Sequence, residues 1–342
     1  MPSSANNRLA RDNVATEAAL DFFIDHEPPP ADFLSDVLTG LAAMPKSVPP
    51  KYFYDADGSR LFDEICRTEE YYVTRTEIAL LERIGPRLCD LVGPGAVVIE
   101  YGSGSAWKSR RVLDSLQEPA AYAAIDISRD HLLAATADIA ADYPDLIAGA
   151  ICADFMSAIP FPEQLAAIGE RRLGFFPGST IGNFAPDQAE TLLVGVRDLL
   201  GPGGAFLIGV DLRKDARILN RAYNDAAGVT AAFNLNLLKR MQSELSAELT
   251  LSDFEHVAFF NEEKSRIEMH LRALKPTEIC VGGRHFALTE GETIHTESSY
   301  KYTVADFSRL AGRTGYRTKE VFVDDKGLFS LHLLNIPEGA HK

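Results

Sequence analysis

Cysteine is sparse in this chain, and what there is does not pair. Cys66, Cys89, Cys152 and Cys280 stand far apart with no C-x-x-C spacing. Such thiols fit a reduced, mostly buried state in a cytoplasmic protein better than a disulfide frame. The eight histidines form no H-E-x-x-H or similar ligand set, so no metal is expected. No apolar run approaches membrane-spanning length, and Met1–Asn13 lacks the apolar core of a secretory signal. Positive charge is also short: 34 Lys and Arg against 49 Asp and Glu give a formal charge of −15. That balance argues against nucleic acid or any partner held mainly through phosphates, because such affinity comes from Lys and Arg. Tryptophan is nearly absent, and the one present, Trp107, stands in a glycine loop.

That loop, 97-VVIEYGSGSAWKS-109, nearly completes two phosphate motifs and finishes neither. A P-loop reads G-x-x-x-x-G-K-[ST] and a dinucleotide fingerprint reads G-x-G-x-x-G. Gly102, Gly104, Lys108 and Ser109 fit, but Trp107 occupies the last glycine position of both. That glycine is needed where backbone closely approaches phosphate or a neighbouring element, and an indole blocks it. The loop therefore holds something other than a phosphate.

The 342 residues, 46% of them hydrophobic, suffice for one large domain or two modest ones. A helix is expected around Ala15–Phe23 and another over Phe33–Leu41. Residues 45–59 read as extended loop. The run 74-TRTE-77 reads as a capping box, followed by a helical face of Ile78, Leu81, Ile84 and Leu88. Strands 96–101, 121–127, 148–152, 173–178 and 205–212 then alternate with helices 107–117, 130–142 (capped by Ser128) and 187–200. Apolar strands alternating with amphipathic helices predict a parallel sheet covered on both faces. Residues 214–248 are helix-rich, and 254–274 form a hairpin turning near Asn261–Lys264. More strand-like sequence runs to Tyr302. A helix capped by Thr303 and a hairpin of 319–323 with 328–334 close the chain.

Acidic residues recur where successive strands end: Glu100, Asp126 and Asp154. Ligands of open α/β sheets bind outside the carboxyl ends of the strands. A carboxylate there accepts from ribose hydroxyls and repels phosphate. E-x-G-x-G, an acid closing the next strand and an acid–aromatic pair after the third together resemble an S-adenosyl-L-methionine-dependent methyltransferase of the Rossmann-like class. The resemblance implies that Glu100, Gly102 and Gly104 belong to the cofactor site, with the glycines admitting the methionine part. It further implies Asp126 on the ribose, Asp154 and Phe155 around the adenine, and Lys108 at the cofactor carboxylate.

The runs 45-PKSVPPKYFYDADGSRLFDEI-65, 70-EYYVTRTE-77, 178-GSTIGNF-184, 211-DLRKD-215, 222-AYNDAAGVTAAFNLN-236, 266-RIEMHLRA-273 and 297-ESSYKY-302 resemble the histidine Nα-methyltransferases of ergothioneine biosynthesis. The similarity extends from Pro45 to near Asn335. It implies conversion of L-histidine to hercynine by three S-adenosyl-L-methionine molecules, each leaving S-adenosyl-L-homocysteine. The implied fold is a Rossmann-like class I methyltransferase sheet with an inserted α+β substrate-binding domain. That domain would be built from 1–74 and 214–302, with 75–213 and 303–342 forming the cofactor domain. By the same resemblance, Asn183 holds the substrate amino-acid group, Tyr71 and Tyr223 assist it, and Gly178 supplies backbone contact. Tyr54 walls the reacting amine, where either it or a water chain removes protons. Glu297 and Ser299 bond the imidazole, and Met269 packs near it. A carboxylate and a hydroxyl two residues apart on a strand share a face, and together they match a ring with two nitrogens. Partners are then small molecules only: no nucleic acid, no membrane, a monomer sufficing, other pathway enzymes linked only through metabolites. A methyltransferase acting on another small amine or amino acid, and a cofactor-binding regulator without turnover, remain alternative readings.

Overall fold

The computed structural model describes residue 17 and residues 19–28, 32–104, 106–169 and 171–339. The chain opens with strand β1 (Phe22–Asp25), helix α1 (Phe33–Ala42), the short strand β2 (Lys46–Ser47), a 3-10 turn (Pro50–Phe53) and helices α2 (Ala56–Ile65) and α3 (Val73–Val92). An alternating series follows: β3 (Val97–Tyr101), α4 (Ala106–Ser115), β4 (Ala121–Asp126), α5 (Arg129–Asp142), β5 (Ile147–Cys152), α6 (Glu163–Ala166) and β6 (Arg172–Phe176). A 3-10 turn (Thr180–Asn183), α7 (Pro186–Leu200) and β7 (Ala205–Asp211) complete it. Next come α8 (Ala216–Ala222), α9 (Val229–Leu245), β8 (Phe254–Asn261), β9 (Arg266–Ala273), β10 (Thr277–Val281), β11 (Arg284–Leu288) and β12 (Thr293–Tyr300). Helix α10 (Val304–Arg313) and strands β13 (Arg317–Val323) and β14 (Phe329–Asn335) return to the first sheet.

The main sheet has the order β1-β5-β4-β3-β6-β7-β14-β13. Its strands run parallel except β14, which is antiparallel to both β7 and β13. This is the Rossmann-like class I methyltransferase arrangement, with an extra strand, β1, at one edge. Strand order reverses between β3 and β6, so the crevice for a ligand opens outside their carboxyl ends. Every residue of β3 is buried, as expected of a strand covered on both faces. Val97, Ile99 and Tyr101 join the cluster under α7 and α10, whereas Val98 joins the cluster under α3.

A second sheet, β2-β12-β9-β8, stands beside the first, with a separate hairpin of β10 and β11. Strand β2 pairs with β12, which brings the N-terminal segment and the 214–302 stretch into one sheet. One apolar cluster runs continuously from Val98, Phe175 and Leu207 of the main sheet to Ile267, Met269, Leu271 and Ile294 of the second. The two sheets are thus held by a shared core.

Some local expectations are overturned. The described end of the helix expected at Ala15–Phe23 is strand: β1 pairs with β5, while residues 15, 16 and 18 lie outside the described residues. Gly149 permits this, since a Cβ there would lie 2.0 Å from the Phe22 ring. The extended loop expected to residue 59 ends at Asp55, whose carboxylate caps α2 by accepting from Gly58 N–H at 2.7 Å. The 74–77 capping box does not form. Helix α3 already starts at Val73 without a side-chain cap, Thr74 donates to Cys66 Sγ at 3.2 Å, and Glu77 turns into the core. Ser128 holds the N-cap position of α5 but makes no capping bond. Thr303 does cap α10, accepting from Asp306 N–H at 3.1 Å. The four cysteines are free, with Cys152 buried and the others half-buried. Among the described residues no helix is long and apolar enough to cross a membrane, and no group of three His, Cys, Asp or Glu is placed to hold a metal.

Candidate active site

The glycine loop leaves β3 with Gly102 at φ +82°, a conformation that favours glycine. A Cβ added at Gly102 or Gly104 would meet nothing within 4 Å, so the loop backbone faces open space on the crevice side. Asp126, at the end of β4, ties the loop down: its Oδ2 accepts from Ser103 N–H at 2.8 Å and from Ser103 Oγ at 3.0 Å. Its Oδ1 accepts from Ser128 N–H at 2.8 Å. Next to it Ile127 is 46% exposed, an apolar surface at the strand end. Asp154 holds its own turn by accepting from Met156 N–H at 2.9 Å. Phe155 lies between Phe176 and Phe184, with ring centroids 5.9 and 6.0 Å away. A carboxylate, open glycine backbone and two apolar faces around one crevice fit a nucleoside without phosphate.

Glu100 is placed otherwise than expected. Only 1% of it is exposed, and its Oε2 accepts from Ser109 Oγ and Tyr122 Oη, each at 2.5 Å. Burial pushes its carboxyl up to about 7, against the opposing pull of those hydrogen bonds. Through Oε2 it braces α4 against β4 beneath the loop. Lys108 is likewise engaged: its Nζ lies 2.6 Å from Glu77 Oε2. Trp107 is 64% exposed on the first turn of α4, so the indole that breaks the phosphate motifs points to solvent.

Glu77 is the residue that the capping-box reading misplaced. Fully buried, its carboxylate accepts from Gly178 N–H at 2.9 and 3.0 Å. Gly209 makes room for it, since a Cβ there would lie 2.2 Å from Glu77 Oε1. With the Gly178 N–H so used, a substrate contact from Gly178 would have to come from its carbonyl. The 3-10 turn that follows carries Asn183, which is half-exposed and makes no side-chain hydrogen bond among the described residues. The turn lies directly on β12, because a Cβ at Gly182 would sit 2.8 Å from Tyr300 O.

Across from this turn β12 presents Glu297, Ser299 and, just past its end, Lys301 at alternate positions, hence on one face. Glu297 is buried yet its carboxylate has no hydrogen-bond partner among the described residues. Burial pushes it up to about 7, with the Lys301 charge opposing. Met269 lies opposite Glu297 on β9, buried in the floor. Tyr223 Oη donates to Ser299 Oγ at 3.0 Å, and its ring meets that of Tyr71 edge-on at 6.2 Å. Tyr54 is 46% exposed although protein atoms surround it, the position of a cleft wall. Phe62 and Phe233 back its ring, each with a centroid 5.8 Å away. Burial first, then the Glu297 charge, pushes the Tyr54 hydroxyl well above its ordinary range. Tyr71 is raised by burial too, with Tyr223 and Glu297 among the lesser causes. Tyr54 and Tyr71 pack edge-on against the same Phe62 ring, and Tyr223 links Tyr71 to Ser299, so the three tyrosines line one side of the β12 face.

Behind them lies a buried ionic group. Asp211 at the end of β7, fully buried, accepts from Tyr72 Oη at 2.8 Å and pairs with Lys301 at 2.8 Å and Lys214 at 2.5 Å. Burial alone would raise its carboxyl, but the Lys301 and Lys214 charges hold it below its ordinary range. Sequence reasoning gave Glu77 only a capping role and assigned none to Tyr72, Asp211, Lys214 or Lys301. Lys301 left a signal, the same two-residue spacing that links Glu297 to Ser299. The others depend on partners from distant elements.

A model of the family described as histidine-specific, SAM-dependent methyltransferases matches residues 33–336. The chain belongs to this family. A family relative, the histidine N-alpha-methyltransferase of Mycolicibacterium smegmatis, is 41% identical over 303 residues, covering 87% of this chain and 93% of the relative. Ergothioneine biosynthesis protein 1 of Neurospora crassa is 30% identical over 279 residues, covering 79% of this chain but 31% of that longer protein. An L-tryptophan methyltransferase of Psilocybe serbica is 26% identical over 332 residues, covering 89% of this chain and 92% of the relative.

Proposed function

We propose that this protein methylates the α-amino group of L-histidine with S-adenosyl-L-methionine, carrying it to hercynine at the entry to ergothioneine biosynthesis in the cytoplasm. The observation that carries the reading is Glu297, a buried carboxylate without a protein partner, on the same strand face as the Ser299 hydroxyl. The residue is 8% exposed and its oxygens are not sealed within the protein, so they can meet a ligand that brings an N–H. An imidazole brings one, and its second nitrogen meets Ser299. An indole, the ring of the tryptophan relative, has one N–H and no bare nitrogen. Ser299 would then be unmatched, which favours histidine over other amino acids.

S-adenosyl-L-methionine supplies an electrophilic methyl group on a sulfonium. In this reading Asp126 accepts from the ribose, Ile127 and Phe155 flank the adenine, and Gly102 and Gly104 admit the methionine part. Lys108, coupled to Glu77, sits beneath it. Asn183 and Gly178 orient the amino-acid group, while Tyr54, Tyr71 and Tyr223 enclose the amine. Each transfer forms a C–N bond as the C–S bonding pair returns to sulfur. The amine must release a proton before it attacks, and the last transfer leaves a permanent cation that tyrosine ring faces and the Asn183 oxygen tolerate. Catalysis is mainly alignment and exclusion of water. Mass spectrometry of a reaction with histidine and S-adenosyl-L-methionine, run beside a panel of other amino acids, tests the reading. Trimethylated histidine as the dominant product is expected. Unmodified histidine, or preferred methylation of another amino acid, would refute it.

A further inference from the structure

Lys301 is more than a neighbour of the ring site. Its side chain is 1% exposed, and its Nζ contacts Asp211 Oδ2 at 2.8 Å, Ser299 Oγ at 2.9 Å and Tyr223 Oη at 3.2 Å. An ammonium has three donors and no acceptor, so all of them are used. Tyr223 oxygen, receiving from Lys301, turns its own proton to Ser299 Oγ at 3.0 Å. Ser299 oxygen thus accepts two hydrogen bonds, the capacity of its lone pairs, and has only a proton left to offer. Two positions back, Glu297 offers only acceptance while ionised. Asp211 fixes the arrangement from behind, itself held by Tyr72 and Lys214.

We propose that Lys301, anchored by Asp211, is the specificity-determining positioning residue of the ring site. By saturating the Ser299 oxygen it makes that hydroxyl an obligatory donor. The site then takes a neutral ring presenting one N–H and one bare nitrogen, and rejects both an imidazolium and a ring with N–H alone. This rests on the histidine reading above.

The two pyrrolylalanines are suitable probes, since they present N–H at either ring position and no bare nitrogen. The quantity to measure is kcat/KM for histidine divided by that for the better pyrrolylalanine, at pH about 9 so that Glu297 is ionised. The bond that differs, Ser299 O–H to a bare ring nitrogen, joins neutral groups, and leaving Ser299 unmatched accounts for roughly 5- to 100-fold in such a ratio. Lys301→Met is expected to lower the ratio about fivefold or more, mostly through a higher kcat/KM for the pyrrolylalanine, whose N–H the freed Ser299 oxygen can accept, while calorimetric affinity for S-adenosyl-L-homocysteine stays near wild type. Tyr223→Phe, which removes one donor to Ser299 without changing charge, should lower the ratio in the same direction and serves if Lys301→Met does not fold. Adding Lys301→Met to Ser299→Ala should leave the ratio where Ser299→Ala alone puts it, because neighbours acting through one group are not additive. An unchanged ratio in folded Lys301→Met or Tyr223→Phe would overturn the proposal, as would an undiminished further drop in the Ser299→Ala background. Histidine turnover by the unmodified protein decides the underlying reading separately: its absence defeats that reading, whereas turnover with an unmoved ratio defeats only the role of Lys301.

Discussion

Glu297 is held in a state that disfavours its charge. Burial raises its carboxyl from an ordinary 4.5 to about 7. Between those values the folded chain keeps a proton that the unfolded chain has released, so stability falls as pH rises through that window. Above about 7 the whole penalty is present, ~3 kcal/mol at 1.36 kcal/mol per unit. Glu297→Gln should therefore stabilise the ligand-free protein at pH about 8 by ~1–3 kcal/mol and change little at pH about 4. Denaturant unfolding at the two pH values checks this, and destabilisation at the higher pH would contradict it. The same variant should bind histidine more weakly. At this scale the spacing of Glu297 and Ser299 was legible, because residues two apart on a strand share a face whatever surrounds them. Glu77 was not. Its local context mimics a capping box, and only the buried Gly178 N–H and Lys108, from distant parts of the chain, explain where it points.

Between elements, the 3-10 turn of Thr180–Asn183 packs tightly against β12. Gly182→Ala would push a Cβ to 2.8 Å from the Tyr300 carbonyl oxygen, and backbone cannot swing aside as a side chain can. The turn carrying Asn183 should move off the strand carrying Glu297 and Ser299. We expect kcat/KM for histidine to fall at least about tenfold, since misplacement by about 1 Å is costly in an aligned transfer, with S-adenosyl-L-homocysteine affinity preserved. Equal loss of both would show that the turn does not serve the substrate side. Elements with strong periodicity were legible: β3 through β7 were read within one or two residues, as was the hairpin of β8 and β9. Strand β1 was not, because what selects it is the bare edge of β5 and the missing side chain at Gly149. Neither leaves a local periodic signal.

Across the whole molecule, one chain of contacts joins the two ligand regions. Lys108, following the glycine loop, pairs with Glu77 of α3, which holds the Gly178 N–H at the head of the Asn183 turn. A ligand that settles the loop should therefore also settle the turn. Histidine is expected to bind at least about fivefold more tightly when S-adenosyl-L-homocysteine is present, and by linkage the reverse factor must be equal. Glu77→Gln should reduce that factor in calorimetry. Equal coupling in variant and parent would mean that the contact does not carry it. The fold class was legible at this scale, since apolar strands alternating with amphipathic helices leave few arrangements. The joining of both sheets by one core was not, because a buried apolar residue does not announce which sheet covers it.

In the proposed complex an imidazole lies between Glu297 and Ser299 while its amine faces the cofactor over Asp126 and the glycine loop. A crystal structure of the protein with L-histidine and S-adenosyl-L-homocysteine tests it most directly. One ring nitrogen is expected within about 3 Å of Glu297 and the other within about 3 Å of Ser299 Oγ, with the α-amine pointing toward the thioether sulfur. A ring bound elsewhere, or an amine turned away from that sulfur, would contradict it.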